Sequence, residues 1–371
     1  MNIGLKVALI IFVMGGGCSF FGDVRATERH IVNKSVARKN AVKPAANKST
    51  AMNTKKQKTA RIAKIATPIS SESVRYPGKL SVQSGAALVI EQHTGGDALF
   101  QKNANQIVPI ASITKLMTAM VVLDSSPILD APIVITDDDV DYLRGSRSRL
   151  PVGSVISRKT ALLLALMSSE NRAANALACH YPGGMRVFLS AMNSKAKELG
   201  MLNTRFEDPT GLTSNNVSTA IDLAKMVAAA HKYQLIRELT TTAEAKVEVD
   251  GQDLAYRNTN PLVRSPAWDV GVSKTGYISE AGKCLVMQAR LAEKPVIIVL
   301  LDSAGALTRV GDANRIKQWM ENIYTSRKQS IQTVAMQMNG CNPSRVGFKS
   351  VTSGQKIAAG KKHRHLNKAN C

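Results

Sequence analysis

Pro109-Ile110-Ala111-Ser112-Ile113-Thr114-Lys115-Leu116-Met117-Thr118-Ala119-Met120 is the stretch on which the reading of this chain turns. An apolar, helix-favouring run begins just after Ser112. With Ser112 at the helix start, Lys115 falls one turn on, along the same face. A serine hydroxyl is a poor nucleophile and needs an adjacent base. A lysine amine can be that base if burial or another cation lowers its pKa. The partial positive charge of a helix N-terminus further favours an alkoxide there. An isolated Ser-x-x-Lys more commonly means an N-cap followed by a solvated lysine, so the rest of the chain has to decide.

N-terminal to this stretch, Gly85-Ala86-Ala87-Leu88-Val89-Ile90 reads as a buried strand. His93-Thr94-Gly95-Gly96-Asp97 reads as a turn, and Ala98-Leu99-Phe100 as the start of the returning strand. C-terminal to it, Ser157 is an N-cap for a helix over 159–166. Residues 171–180 are Ala-rich and helical up to Pro182-Gly183-Gly184, and 188–199 form a helix that Gly200 stops. Thr219, with Asp222 three residues on, caps a helix over 223–233. Past Thr240 the pattern turns to strands at 246–249, 269–275, 284–291 and 295–301. A helix over 312–324 carries Ile316, Trp319, Met320 and Ile323 at helical spacing. Strands at both ends of a helical middle predict one α+β domain over 80–324. Its antiparallel sheet comes from both chain ends and a helical subdomain is inserted between them.

Two further stretches fit with Ser112 and Lys115. Ser168-Ser169-Glu170-Asn171 lies in the turn between two predicted helices, where a hydroxyl and an amide two residues apart can both face a cleft. Lys274-Thr275-Gly276 lies in a predicted strand, and Gly276 leaves room for a substrate backbone at its edge. Ser169 follows Ser112 by 57 positions and Lys274 follows it by 162. In this order, on helix start, turn and strand, they resemble the three motifs of the penicillin-recognising serine peptidases and β-lactamases. Residues 109–123, 156–178, Asn203-Thr204-Arg205-Phe206-Glu207-Asp208-Pro209-Thr210-Gly211-Leu212 and Arg257-Asn258-Thr259-Asn260 narrow the likeness. They resemble the low-molecular-mass penicillin-binding proteins, and among these the D-alanyl-D-alanine endopeptidases. The likeness spans 81–324 and leaves out both ends of the chain.

The resemblance implies a β-lactamase/transpeptidase-like fold, with a five-stranded antiparallel sheet flanked by helices. It implies hydrolysis of D-alanyl cross-links in peptidoglycan stem peptides, with β-lactams as covalent inhibitors and no cofactor. Ser112 would be acylated and Lys115 would be its general base. Ser169 would relay a proton to the leaving amine, and Asn171 would hold the substrate amide. Lys274 would keep Lys115 neutral and attract an anionic substrate group that Thr275 hydrogen-bonds, beside Gly276. The oxyanion would sit between the backbone N–H groups of Ser112 and Tyr277.

The net charge of +22 is concentrated at the ends: residues 1–80 carry +12, 325–371 carry +9, and 81–324 only +1. Residues 1–26 read as an export signal, with Lys6 before a short apolar run over 7–14 and Val24-Arg25-Ala26 as the cleavage site. Gly15-Gly16-Gly17-Cys18 admits lipid attachment at Cys18 as an alternative. The expected location is therefore the periplasm. Residues 27–79 read as a basic disordered linker: 30–71 hold no acidic and no aromatic residue. Residues 325–371 read as a second basic tail, irregular and disordered. Both ends suit anionic envelope polymers, and without aromatics for base stacking no nucleic acid is expected. Cys341 and Cys371 could pair in an oxidising compartment, while Cys179 and Cys284 read as buried thiols. No C-x-x-C or H-E-x-x-H pattern points to a metal.

Other readings remain open at this level. A class A β-lactamase needs a glutamate with an asparagine four residues on; Glu207 is in place, but position 211 is Gly. A D-alanyl-D-alanine carboxypeptidase would share every motif, although such relatives usually add a β-rich domain for which 325–371 leaves no room. A non-catalytic wall-binding module would rely on the basic ends alone.

Overall fold

The central sheet is built from both ends of the folded chain. The computed structural model describes residues 79–92 and 98–340. The predicted export signal, Cys18, the basic linker up to residue 78, the 93–97 turn, Cys341 and Cys371 lie outside these. Strands β1 (Ala86–Glu91) and β2 (Phe100–Lys102) come from the N-terminal side. Two short strands follow, β3 (Val108–Pro109) before the first helix and β4 (Pro132–Val134) after it. They pair with β6 (Val217–Ser218) and β5 (Val155–Ser157) respectively. A separate hairpin joins β7 (Glu244–Val249) to β8 (Gln252–Arg257). The C-terminal side supplies β9 (Asp269–Ile278), β10 (Gly282–Leu291) and β11 (Lys294–Ser303). The order is β2-β1-β11-β10-β9, antiparallel throughout, so β9 is an edge strand. The five-stranded sheet expected from the resemblance is present.

The middle strands are buried on both faces, which is why β11 reads as a near-continuous apolar run: residues 296 to 301 are fully buried. Between β1 and β9 the chain makes α1 (Lys115–Asp124), α2 (Arg158–Met167), α3 (Asn171–Cys179), α4 (Gly184–Glu198), α5 (Ala220–Ala230) and α6 (Gln234–Thr241). Helix α1 is buried from Lys115 through Val122 and touches α2, α3, α4 and α5. Ser157 caps α2 through the Thr160 amide, and Thr219 caps α5 through the Asp222 amide, both at 3.1 Å. Asp222 does not complete a capping box. Its carboxylate turns instead to the Asn203 amide and the Thr204 hydroxyl.

Helix α7 (Ala306–Gly340) runs past the boundary placed at 324, so residues 325–340 are helix rather than irregular tail. After Gly311 no Gly or Pro interrupts the chain until Gly340, with Pro343 beyond it. The chain divides into two units within this helix, after Met320. The first unit holds the sheet, α1 to α6 and the motif residues.

Candidate active site

Ser112 does not begin an α-helix directly. It sits in a 3-10 turn (Ala111–Thr114) that leads into α1, and its side chain does not cap. Ala111, just before it, is held at φ 48°, a left-handed conformation that an alanine resists. The Thr114 hydroxyl donates to the Ala111 carbonyl at 2.8 Å and pins the turn. Lys115 is fully buried, not solvated. Its Nζ lies 2.8 Å from Ser112 Oγ, 2.7 Å from Asn171 Oδ1 and 2.7 Å from the Thr210 carbonyl. A neutral amine has two N–H donors and one lone pair. The amide oxygen and the carbonyl take the two donors, which leaves the lone pair for the serine hydroxyl.

Ser169 occupies the turn between α2 and α3 at φ 64°, another left-handed non-glycine. Its Oγ accepts from Lys274 Nζ at 2.8 Å, and Lys274 also donates to the Thr275 carbonyl at 2.9 Å. Asn171 opens α3 and donates to Ser146 Oγ at 2.9 Å. The six motif residues with polar side chains thus form two linked groups, Ser112–Lys115–Asn171 and Ser169–Lys274, with Thr275 alongside. The Thr275 hydroxyl lies 2.6 Å from that of Thr259. Tyr277 is exposed, and the Lys283 ammonium stands 3.0 Å from its ring centre.

Burial pulls the Lys115 amine down to about 7, and the carboxylates of Asp208, Glu170 and Asp141 oppose that fall. Lys274 is also fully buried and is held well below the usual lysine range, by burial first and then by the charges of Lys115 and Arg309. This refines the sequence expectation. Desolvation by burial is the leading reason Lys115 can be neutral, and mutual repulsion disfavours both amines being charged at once.

Gly276 also has a packing role beside the one expected. A Cβ there would stand 2.9 Å from the Ile110 carbonyl oxygen, 3.1 Å from Ala111 Cβ and 3.2 Å from the Ser112 nitrogen. The missing side chain lets β9 lie against the protein's own Ile110–Ser112 segment. Gly211 does the same from the other side: at φ 83°, its Cβ would fall 1.9 Å from the Ala111 carbonyl oxygen. No asparagine fits there, so the β-lactamase pairing with Glu207 has no room. The Glu207 carboxylate is already engaged by Arg205 at 2.5 Å and Asn215 at 2.7 Å.

Several contributors carried no sequence signal of their own. Arg309 is buried and donates to the carbonyls of Gly276 at 3.2 Å and Cys284 at 2.9 Å, tying α7 to β9 and β10. Arg144 pairs with Glu280 at 3.0 Å and donates to the Leu212 carbonyl, joining three loops that border the site. A cleft of about 340 Å³ opens beside Asn171, lined by Asp138, Asp141, Tyr142, Glu207 and Leu212 among others. Arg144, Ser146 and Thr210 could have been sought in polar loop residues near the motifs, but their partners are distant in sequence.

The same arrangement of elements is found in solved structures. The chain superposes on the Streptomyces K15 DD-transpeptidase with a TM-score of 0.61 at 30% identity, covering 65% of this chain and 98% of that one. A D-alanyl-D-alanine carboxypeptidase from Mycobacterium tuberculosis gives 0.59 at 26% identity, covering 67% and 94%. Among curated proteins, a D-alanyl-D-alanine endopeptidase of Pseudomonas aeruginosa is 47% identical over 262 residues, 69% of this chain and 84% of the relative. One of Escherichia coli is 47% identical over 242 residues, 65% and 78%. A profile described as D-alanyl-D-alanine carboxypeptidase, peptidase S11, matches residues 71–305. With Ser112 beside the buried Lys115 and the two companion motifs in place, the chain belongs to the peptidase S11 family.

Proposed function

We propose that this protein is a serine D,D-peptidase that hydrolyses D-alanyl cross-links of peptidoglycan through an acyl-enzyme on Ser112. The observation that carries this is the amine of Lys115, buried, 2.8 Å from the Ser112 hydroxyl, with both its N–H groups occupied elsewhere. Ser112 Oγ attacks the D-Ala carbonyl carbon while its proton passes to the Lys115 lone pair. The oxyanion is met by the backbone N–H groups of Ser112 and Tyr277; the closeness of β9 to the Ser112 nitrogen supports that pairing. The C–N bond then breaks, and Ser169, held by Lys274, relays the proton taken up by Lys115 to the leaving amine, which returns Lys115 to its neutral form. Asn171 holds the substrate amide and Thr275 an anionic substrate group. Water hydrolyses the acyl-enzyme with Lys115 again as base. β-Lactams enter the same path and stall as stable acyl-enzymes.

The two 47% identical relatives are endopeptidases by name, which favours cleavage of cross-links over removal of a terminal D-Ala. Purified cross-linked muropeptide dimers and disaccharide-pentapeptides, digested side by side, test this. Release of monomers from dimers supports the endopeptidase; release of free D-Ala alone overturns it in favour of a carboxypeptidase. Export to the periplasm through residues 1–26 belongs to the same reading, as does electrostatic retention on anionic envelope polymers by the basic ends. The latter predicts salt-sensitive sedimentation with sacculi, lost when 27–79 and 325–371 are deleted. Unchanged sedimentation after deletion rules it out.

A further inference from the structure

The loop after α4 reaches the site without belonging to any of the three motifs. Asp208 organises it. One carboxylate oxygen accepts from the Thr210 amide at 2.5 Å, the Thr210 hydroxyl at 2.7 Å and the Gly211 amide at 2.5 Å. The other accepts from the Thr213 amide at 2.8 Å. Four donors converging on one side chain fold the segment back on itself. Two consequences follow at the active centre. The Thr210 carbonyl is aimed at Lys115 Nζ, 2.7 Å away. Gly211 is pressed against the Ala111–Ser112 peptide.

Asn216, fully buried, locks this loop to the nucleophile turn. Its Oδ1 accepts from the Glu207 amide at 2.7 Å and the Asp208 amide at 3.1 Å. Its Nδ2 donates to the Asp208 carbonyl at 2.9 Å and to the Thr114 hydroxyl at 3.0 Å. The Thr118 hydroxyl adds a bond to the Pro209 carbonyl at 2.6 Å. The loop is therefore held to α1 at three levels, and the Thr210 carbonyl cannot drift from the amine.

Lys115 needs two acceptors so that its lone pair, and not an N–H, faces Ser112. Asn171 is one acceptor, from a catalytic motif. The Thr210 carbonyl is the other, and it is held in place from Asp208. Building on the proposed acylation of Ser112, we propose that Asp208 is a positioning residue for the general base. It shapes the loop that aims the Thr210 carbonyl at Lys115, and it sets a fixed negative charge behind that amine. The other charged groups that face Lys115 are Glu170 in the α2–α3 turn and Asp141 in the loop before β5, both negative, and Lys274 on β9, positive when protonated. Asp208 is the strongest of the three carboxylates acting on it.

The test is the pH dependence of acylation by a fluorescent penicillin. Asp208→Asn keeps an oxygen for the three donors at Oδ1 and removes the charge. The expected result is an acid limb shifted to lower pH by about one unit, since a nearby opposite charge stabilises an ammonium by this order. Asp208→Ser, which also removes the charge, is expected to shift the limb the same way. Glu170→Gln is expected to shift it less. An acid limb that stays in place while the rate falls at every pH makes Asp208 a scaffold residue and overturns the proposal, as does failure of both Asp208 variants to fold. Absence of labelling in the unsubstituted protein strikes the proposed function instead, so the two failures are distinguishable.

Discussion

Replacing Gly276 by Ala separates two accounts of the third motif. If the glycine serves the substrate alone, the protein without substrate should be indifferent to a methyl group there. The structure says otherwise. The new Cβ would lie 2.9 Å from the Ile110 oxygen and 3.2 Å from the Ser112 nitrogen, both backbone atoms. Relief to an ordinary contact needs a movement of about half an ångström. Strand β9 cannot supply it freely, because it is paired with β10 from Asp269 to Ile278. The nucleophile turn must therefore shift, and it is already held at a left-handed Ala111. Overpacking of this kind costs about 2 kcal/mol, which is about 4–8 °C in the melting temperature of a domain of this size. A 1 Å misplacement of reacting groups costs about a hundredfold in rate, so half of that costs roughly tenfold. Differential scanning calorimetry of the ligand-free protein and stopped-flow acylation by a chromogenic penicillin read the two effects. An unchanged melting temperature would refute the packing argument, even if acylation fell.

Three more outcomes follow from the same geometry. With Lys115 at about 7, the acylation rate should climb roughly tenfold from about pH 6 to about pH 8; a rise centred near the ordinary lysine range would contradict a buried neutral base. Ser169→Ala should slow hydrolysis of muropeptide dimers by roughly 10²-fold or more, the usual scale for one proton-transfer group, and an unaltered rate would remove Ser169 from the proton path. Lys115→Met should abolish acylation and change how stability follows pH. The native lysine sits at about 7, below its unfolded value, so its stability penalty is full below about pH 7 and fades as pH rises toward about 10. The melting-temperature difference, variant minus parent, should therefore grow more positive as pH falls across that window and level off below it; a difference flat with pH would contradict the lowered amine.

What could be read from the chain was set by spacing. Ser112 and Lys115 are one turn apart, and Ser169, Asn171 and Lys274 lie on elements whose ends are marked by ordinary caps and alternation, so their convergence was legible. The sheet was legible because both ends of the domain carry strand patterns around a helical middle. What escaped depends on three-dimensional neighbours. The general-base role of Lys115 asks for burial or a second cation, and the covering of α1 by other helices that supplies the burial is not written in the motif itself. The packing of Gly276 against Ile110–Ser112 escapes the sequence because nothing in its own stretch announces that segment. The order of causes at Lys115 needed burial, which no spacing encodes. Asp208 looked like part of a family signature, and its role depends on four donors within the loop and a lysine 93 positions earlier. Helix α7 was cut short because its distal part is polar and basic, whereas the absence of a breaker before Gly340 was the better guide.

The account rests on Ser112 being the group that is acylated while Lys115 is neutral beside it. The most direct measurement is peptide mapping by mass spectrometry after brief exposure to benzylpenicillin at about pH 8 and about pH 5.5. The expected result is one penicilloyl adduct on the peptide bearing Ser112, abundant at the higher pH, scarce at the lower, and lost in Ser112→Ala. An adduct on another residue, or equal labelling of Ser112 at both pH values, would contradict it.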